Sequence, residues 1–137
     1  MKYSKSASKT SAPKTGGKYC LVVEDNFFAG DIMSTFLQLQ GVGVDVAENG
    51  RAAVDMYSSN PARYGVIFMD LQMPGMSGYE ATELIRNSGH CGAEMIPIIS
   101  MSGEPLSDLY KYGFSDSIHK PFKMQELLQF IKDFIAE

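Results

Sequence analysis

Hydrophobic residues occur along the chain in short unbroken runs that alternate with stripes of period three to four. A run that is apolar at every position is typical of a strand buried on both faces of a parallel sheet. The runs predict five strands, at 19–23, 42–47, 66–70, 96–101 and 117–119. The second strand is short and alternates in polarity, which favours a place near the edge of the sheet.

The stripes between the runs predict amphipathic helices. The first helix follows Asn26, a residue type that suits a helix N-cap. Its expected inward stripe comprises Phe28, Ile32, Phe36 and Leu39, with Met33 and Leu37 alongside. Further helices are predicted at 50–60, 79–86, 105–112 and 124–135. Their expected inward residues include Ala81, Leu84 and Ile85 in the third helix and Leu127, Leu128, Ile131, Phe134 and Ile135 in the last.

Strands alternate with helices five times, which is the pattern of an α/β protein with a doubly wound parallel sheet. For a chain of this size the simplest arrangement is a five-stranded, flavodoxin-like (βα)5 fold with strand order 2-1-3-4-5. In that order strands one and three are neighbours, so Glu24 and Asp25 come close to Asp70. Taken alone, Asp70 would be read as the cap of a turn after a buried strand.

Three carboxylates that converge at one sheet edge repel one another and require a counter-charge. Mg²⁺, with Mn²⁺ as a second candidate, suits such oxygen ligands. The fourth strand brings the Ser102 hydroxyl to the same edge, and the fifth brings the Lys120 ammonium. An ionised Asp beside a metal can act as a nucleophile toward phosphorus and form an aspartyl phosphate.

Each polar residue at this sheet edge has a predicted role. Asp70 accepts the phosphoryl group, Asp25 ligates the metal directly, and Glu24 holds a metal-bound water. The backbone carbonyl of Gln72 is a further candidate ligand. We expect Lys120 to pair with the acyl phosphate and Ser102 to hydrogen-bond a phosphoryl oxygen.

The charge distribution separates a basic leader from an acidic body. The formal net charge is −4, and residues 1–18 carry five lysines and no acid, so the remainder carries −9. Such a body is a poor candidate for direct nucleic-acid binding. We expect residues 1–17 to be a flexible basic leader or linker and 18–137 to be the single folded domain. The chain shows no apolar stretch of membrane-spanning length and no secretory signal, which favours the cytoplasm.

Four segments together resemble the receiver domain of two-component response regulators, most closely the receivers of hybrid histidine kinases. They are 21–26 (LVVEDN), 69–82 (MDLQMPGMSGYEAT), 97–103 (PIISMSG) and 120–122 (KPF). The resemblance implies Mg²⁺-dependent phosphotransfer from a histidine kinase or histidine phosphotransfer protein, with slow self-dephosphorylation. It implies a signalling module rather than an enzyme.

The chain departs from the family pattern near the predicted switch. Ser102 replaces the more usual Thr but keeps a hydroxyl, and Ser117 stands where an aromatic residue is common. Ser102 and Lys120 are about one helical turn closer in sequence than the family pattern predicts, so the fourth helix should be short. We therefore expect an altered output face and favour a monomer. Gln72 and Glu104 are the candidate residues for tuning dephosphorylation.

Three rival functions remain open from the sequence. A metal-dependent aspartyl-phosphate phosphatase would need a general acid, and Gln72, two residues after Asp70, has no proton to give. A pseudo-receiver that is never phosphorylated would not need the full set of site residues. A flavin-binding flavodoxin would need a phosphate-binding loop where Glu24 and Asp25 would repel the phosphate.

Overall fold

A computed structural model describes residues 18–103 and 108–135 of the chain. The strands are β1 (Tyr19–Val23), β2 (Gly43–Ala47), β3 (Tyr64–Asp70), β4 (Ile98–Ser102) and β5 (Asp116–His119). The α-helices in the described part are α1 (Phe27–Leu39), α2 (Gly50–Ser59), α3 (Gly78–Arg86) and α4 (Met124–Phe134). Short 3-10 helices occupy Pro61–Arg63 and Leu109–Tyr112. No described helix is long and apolar enough to cross a membrane.

The five strands are parallel and follow the order β2-β1-β3-β4-β5. This confirms the predicted doubly wound sheet. β3 lies in the centre, and its last five residues are all buried, because helices cover both faces of the sheet. Asp70 therefore lies at the carboxyl end of the central strand, which is buried on both faces.

Alternate residues of each strand enter two separate apolar layers. In β1, Leu21 and Val23 pack in the layer that contains α2 and α3, whereas Cys20 and Val22 pack in the layer that contains α1 and α4. The sequence of β1 is apolar at every position because each face of the sheet needs its own apolar side chains. Cys20 is a buried free cysteine, as expected for a small apolar core residue.

The predicted inward stripe of α1 is wrong for three of its four residues. Phe28, Ile32 and Leu39 are 74%, 58% and 79% exposed. The helix instead buries Gly30, Met33 and Leu37. Gly30 favours this face, because a Cβ placed there would lie 3.3 Å from Val46 Cγ1, which is closer than an ordinary van der Waals contact. The helix therefore has two apolar stripes, one of which faces outward.

Two further inward predictions are wrong, Leu84 in α3 and Phe134 in α4. Both side chains are exposed. α3 buries Ala81, Thr82 and Ile85, which turns Leu84 toward solvent. Phe134 stacks on Phe130 at 6.3 Å between ring centroids. Leu127, Ile131 and Ile135 are buried, as predicted.

The connection from β4 to β5 is short, as the spacing of Ser102 and Lys120 predicts. Its described part contains the 3-10 helix Leu109–Tyr112, which ends at Gly113 with φ 94°. The predicted beginning of this helix at 105 lies outside the described residues.

Arg86 at the end of α3 organises this shortened region. Its guanidinium donates hydrogen bonds to the carbonyl oxygens of Ile96 at 2.7 Å, Gly113 at 2.9 Å and Ala93 at 3.0 Å. One half-buried side chain thus ties together the segments that lead into β4 and β5. A guanidinium suits this role because its donors are arranged in a rigid planar fork.

We predict that Arg86→Met destabilises the domain by about 2–3 kcal/mol, since the methionine keeps the apolar stem but leaves three carbonyl groups without their donors. Urea unfolding monitored by circular dichroism measures the change. Arg51→Met is the matched control, because Arg51 is exposed and, among residues 18–103 and 108–135, its ion pair is with Asp55 on the same helix. Its effect should stay within about 0.5 kcal/mol. Equal effects of the two substitutions would contradict the role given to Arg86.

Candidate functional site

A cleft of about 440 Å³ opens at the carboxyl edge of the sheet. Its lining residues come from the ends of β1, β3, β4 and β5, where an open parallel sheet brings separate strands together. The cleft is lined by Glu24, Asp25, Asp70, Gln72, Ser102, Gly103 and Lys120. All of these except Gly103 are site residues predicted from the sequence.

The register of β1 and β3 places the three carboxylates together. Val23 pairs with Met69, so the residues that follow each strand emerge side by side. One carboxylate oxygen from each of Glu24, Asp25 and Asp70 lies within 4.8 Å of the other two. Glu24 and Asp70 are buried, whereas Asp25 is exposed at the mouth of the cleft. This arrangement suits a cation that is partly covered by protein and partly open to water.

Backbone amides fix the two buried carboxylates. The Asn26 N–H donates to Glu24 Oε2 at 3.1 Å, and the Gln72 N–H donates to Asp70 Oδ1 at 3.2 Å. Asn26 also caps α1, because its side-chain oxygen accepts a hydrogen bond from the Ala29 N–H at 3.0 Å. The residue that begins the helix therefore also orients a site carboxylate.

Lys120 joins the fifth strand to the carboxylates. Its Nζ lies 3.2 Å from Glu24 Oε1 and 3.5 Å from Asp70 Oδ2. The Lys120 backbone N–H donates to the Ser102 carbonyl at 2.7 Å, which fixes the ends of β4 and β5 relative to each other. The ammonium and the Ser102 residue thus reach the cleft from adjacent strands.

The electrostatics of the cleft favour an additional positive charge. Burial, with the charge of the nearby Glu24 carboxylate, raises the pKa of Asp70 to about 6. The Gln72 N–H and the Lys120 ammonium oppose this shift without cancelling it. One ammonium thus faces three carboxylates, and the remaining repulsion would be relieved by a bound divalent cation.

Gly78, the first residue of α3, packs directly against the backbone of Asp70. A Cβ at this position would overlap the Asp70 carbonyl oxygen, and the Gly78 N–H donates to the Leu71 carbonyl at 3.3 Å. The absence of a side chain at Gly78 therefore allows the close approach of α3 to the end of β3.

Three predicted positions, Ser117, Gln72 and Glu104, were given roles in switching or in tuning dephosphorylation. Ser117 is half-buried in β5, where it pairs with Ser100 and does not line the cleft. Gln72 contacts Asp70 through its backbone, and its side chain is exposed. Glu104 lies outside the described residues. The tuning roles of Gln72 and Glu104 therefore stay predictions.

An exposed apolar surface begins beside the cleft. We call it the outer α1 patch and define it as Phe27, Phe28, Ile32 and Leu39, which are 58–79% exposed. The Phe27 and Phe28 rings meet edge to face at 5.7 Å, and α1 starts two residues after Asp25. This surface was not predicted, because the stripe that contains Phe28, Ile32 and Leu39 was expected to face the core. The sequence also contains a second possible inward stripe, formed by Gly30, Met33 and Leu37, which could have indicated the true orientation.

Comparison with known proteins gives consistent matches over most of the chain. The "Transcription factor SKN7" of Chaetomium thermophilum is 35% identical over 121 residues, which cover 85% of this chain and 15% of that protein. The "Hybrid signal transduction histidine kinase I" of Dictyostelium discoideum is 32% identical over 124 residues, which cover 85% of this chain and 7% of that protein. The chain thus spans less than a fifth of each of these relatives.

A solved structure shares both the fold and a comparable identity. The receiver domain of the sensor histidine kinase PA1611 from Pseudomonas aeruginosa PAO1 is 30% identical and superposes with a TM-score of 0.75. The match covers 86% of this chain and 97% of that domain, whose cleft holds a magnesium ion.

The family model described as the response regulator receiver domain matches residues 20–132. This range begins in β1, ends in α4 and contains every residue that lines the cleft. The relatives include hybrid histidine kinases as well as response regulators, as the sequence resemblance predicted. The chain therefore belongs to the response regulator receiver domain family.

Proposed function

We propose that the chain is the phosphoacceptor of a two-component phosphorelay, in which Asp70 takes a phosphoryl group from a phosphohistidine partner. The observation that carries this proposal is the environment of the Asp70 carboxylate. One of its oxygens accepts the Gln72 N–H, and the other lies 3.5 Å from the Lys120 ammonium. A carboxylate held in this way is oriented for attack from the mouth of the cleft.

In the proposed reaction a carboxylate oxygen of Asp70 forms a bond to phosphorus while the phosphorus–nitrogen bond of phosphohistidine breaks. The electron pair of that bond stays with the imidazole, which leaves as the partner's neutral or protonated histidine. Lys120 stabilises the negative charge on the phosphoryl oxygens, and the Ser102 hydroxyl donates a hydrogen bond to one of them. Every such donor belongs to a strand end whose position is fixed by the sheet.

Glu24, Asp25 and Asp70 would hold a divalent cation, with Mg²⁺ the proposed ion. Their chemistry fits because all three supply hard oxygen atoms within reach of one another. A bound Mg²⁺ would neutralise charge on the transferring group. The magnesium ion in the cleft of the PA1611 receiver supports this choice for a related protein.

The outer α1 patch is the proposed contact surface for the phosphohistidine partner. A partner that delivers phosphate to Asp70 must cover the mouth of the cleft, and the patch lies immediately beside it. Exposed apolar surface that is contiguous with a reactive site commonly marks an interface. A histidine kinase or a histidine phosphotransfer protein is the class of partner that we propose.

Phosphorylation is tested directly by incubating the chain with acetyl phosphate and Mg²⁺ and measuring the intact mass. We expect one phosphate adduct, because a small donor needs only the cleft. The adduct should be absent in Asp70→Asn and in samples that contain EDTA. Absence of an adduct in the unaltered chain would support a pseudo-receiver instead. Steady hydrolysis of phosphate esters would support a phosphatase.

Mg²⁺ affinity should fall as the pH is lowered through 6. The ion binds the ionised carboxylate, and the pKa of Asp70 in the metal-free protein is about 6. Protonation of this group alone should raise the apparent Kd roughly tenfold between pH 7 and pH 5. Isothermal titration calorimetry measures the change. Asp70→Asn should bind more weakly and lose this pH step, and an unchanged Kd in the unaltered chain would contradict the proposed ligand.

Substitution of the outer α1 patch should slow transfer from a protein donor while leaving the small-donor reaction intact. We expect Phe28→Ala with Ile32→Ser to reduce the rate of transfer from a phosphorylated histidine phosphotransfer protein about tenfold or more. Modification by acetyl phosphate should change less than twofold. Leu84→Ser is the matched control, because Leu84 is an exposed apolar helix residue outside the patch. Equal slowing by the control would remove α1 from the interface.

A further inference from the structure

A second recess lies away from the cleft, between α3 and the Leu109–Tyr112 turn. We call it the α3 groove, and its volume is about 940 Å³. Among the described residues, it is bordered by the outer face of α3 on one side and by the 3-10 turn and the residues that follow it on the other. None of the residues that line the cleft at the carboxyl edge of the sheet lines this groove.

An aromatic wall forms one side of the α3 groove. The Tyr79 ring meets Tyr112 edge to face at 4.9 Å and Phe114 at 5.9 Å. Phe114 is buried and anchors the wall, whereas Tyr79 and Tyr112 remain 36% and 40% exposed. Met95, which also lines the groove, is 81% exposed. Rings that are held by one another and still accessible offer stacking area at a low cost in side-chain entropy.

The rim of the α3 groove is acidic. Glu80, Glu83 and Glu94 line it, and none of the three forms an ion pair with another described residue. Arg86 and Lys111 also line the groove, so three negative and two positive formal charges leave the lining at −1. The Arg86 guanidinium is held on main-chain carbonyls rather than on a glutamate. Lys111 lies beside the ring of Tyr112, 5.8 Å from its centroid. The rim thus carries more negative charge than its neighbours balance.

We propose that the α3 groove binds a segment of a partner protein in which Lys or Arg side chains flank an aliphatic or aromatic anchor. The glutamates would attract the basic groups and raise the rate of encounter. The aromatic wall would receive the anchor and would also favour cationic groups that stack on its rings. This inference does not depend on phosphorylation of Asp70, so it can fail or succeed separately from the proposed function.

The test is a titration of the ¹⁵N-labelled full chain with synthetic peptides, followed by amide chemical shifts. The probe is the capped peptide Lys-Leu-Lys-Phe-Lys, compared with Lys-Ser-Lys-Ser-Lys and Glu-Leu-Glu-Phe-Glu. We expect saturable shifts for the first peptide that are largest at Tyr79, Glu83 and Tyr112. Absence of saturable shifts, or shifts centred on the carboxylate cleft, would overturn the proposal. Equal affinity for the serine-containing peptide would also overturn it, because the anchor would then contribute nothing.

Paired charge variants distinguish peptide binding in the groove from nonspecific attraction to the acidic surface of the domain. Glu80→Gln with Glu83→Gln should raise the Kd for the first peptide about fivefold, from two weakened exposed ion pairs. Asp31→Asn with Glu48→Gln removes the same number of exposed charges elsewhere and should change the Kd less than twofold. Equal effects of the two pairs would overturn the assignment of the groove.

An aromatic variant and a variant of the basic leader complete the design. Tyr112→Ala should weaken binding about fivefold, whereas Phe134→Ala, an exposed ring on α4 outside the groove and the outer α1 patch, should not. The basic leader of the same chain is the rival occupant, since residues 1–17 carry four lysines and no acid. If replacing these lysines with glutamine raises peptide affinity more than tenfold, the leader competes for the groove and the proposal of a partner segment is overturned.

Discussion

Repulsion between Glu24 and Asp70 is the constraint on which the site depends. Both carboxylates are buried at the ends of adjacent strands, and burial raises the pKa of Asp70 to about 6. The fold keeps them together by giving each carboxylate a backbone N–H and by placing the Lys120 ammonium against both. A sheet in which β1, β3, β4 and β5 were not consecutive neighbours would separate these groups, so the topology and the charge arrangement specify the same site.

Most of the sheet and the site could be predicted from the sequence because their signals are local and strong. Unbroken apolar runs identify strands buried on two faces, and each run ends in a chemically distinctive residue such as Asp70 or Lys120. The strand order then follows from the βα alternation. The sequence does not predict the geometry between the site residues. Examples are the hydrogen bond from the Gln72 N–H to Asp70 and the position of the Lys120 ammonium between the Glu24 and Asp70 carboxylates.

The errors have a common physical cause. Periodicity reveals that a helix has an apolar stripe, but it does not reveal which of two stripes the sheet will accept. In α1, Gly30 has no side chain and allows close packing on β2. The helix therefore buries the stripe that contains Gly30, and the more apolar stripe faces outward. Leu84 was misassigned in the same way, since the smaller Ala81 and Thr82 occupy the buried face of α3. Small residues decide helix orientation in both cases.

Gly78 has a consequence for the mechanical relation between β3 and α3. With no side chain between the Asp70 peptide and the start of α3, the two backbones lie in direct contact. We expect a displacement at the end of β3 to shift the first turn of α3, where Tyr79 meets Tyr112 and Phe114. Contact between main chains would thus link the carboxyl edge of the sheet to this aromatic cluster, in a protein whose fifth strand has a serine at position 117.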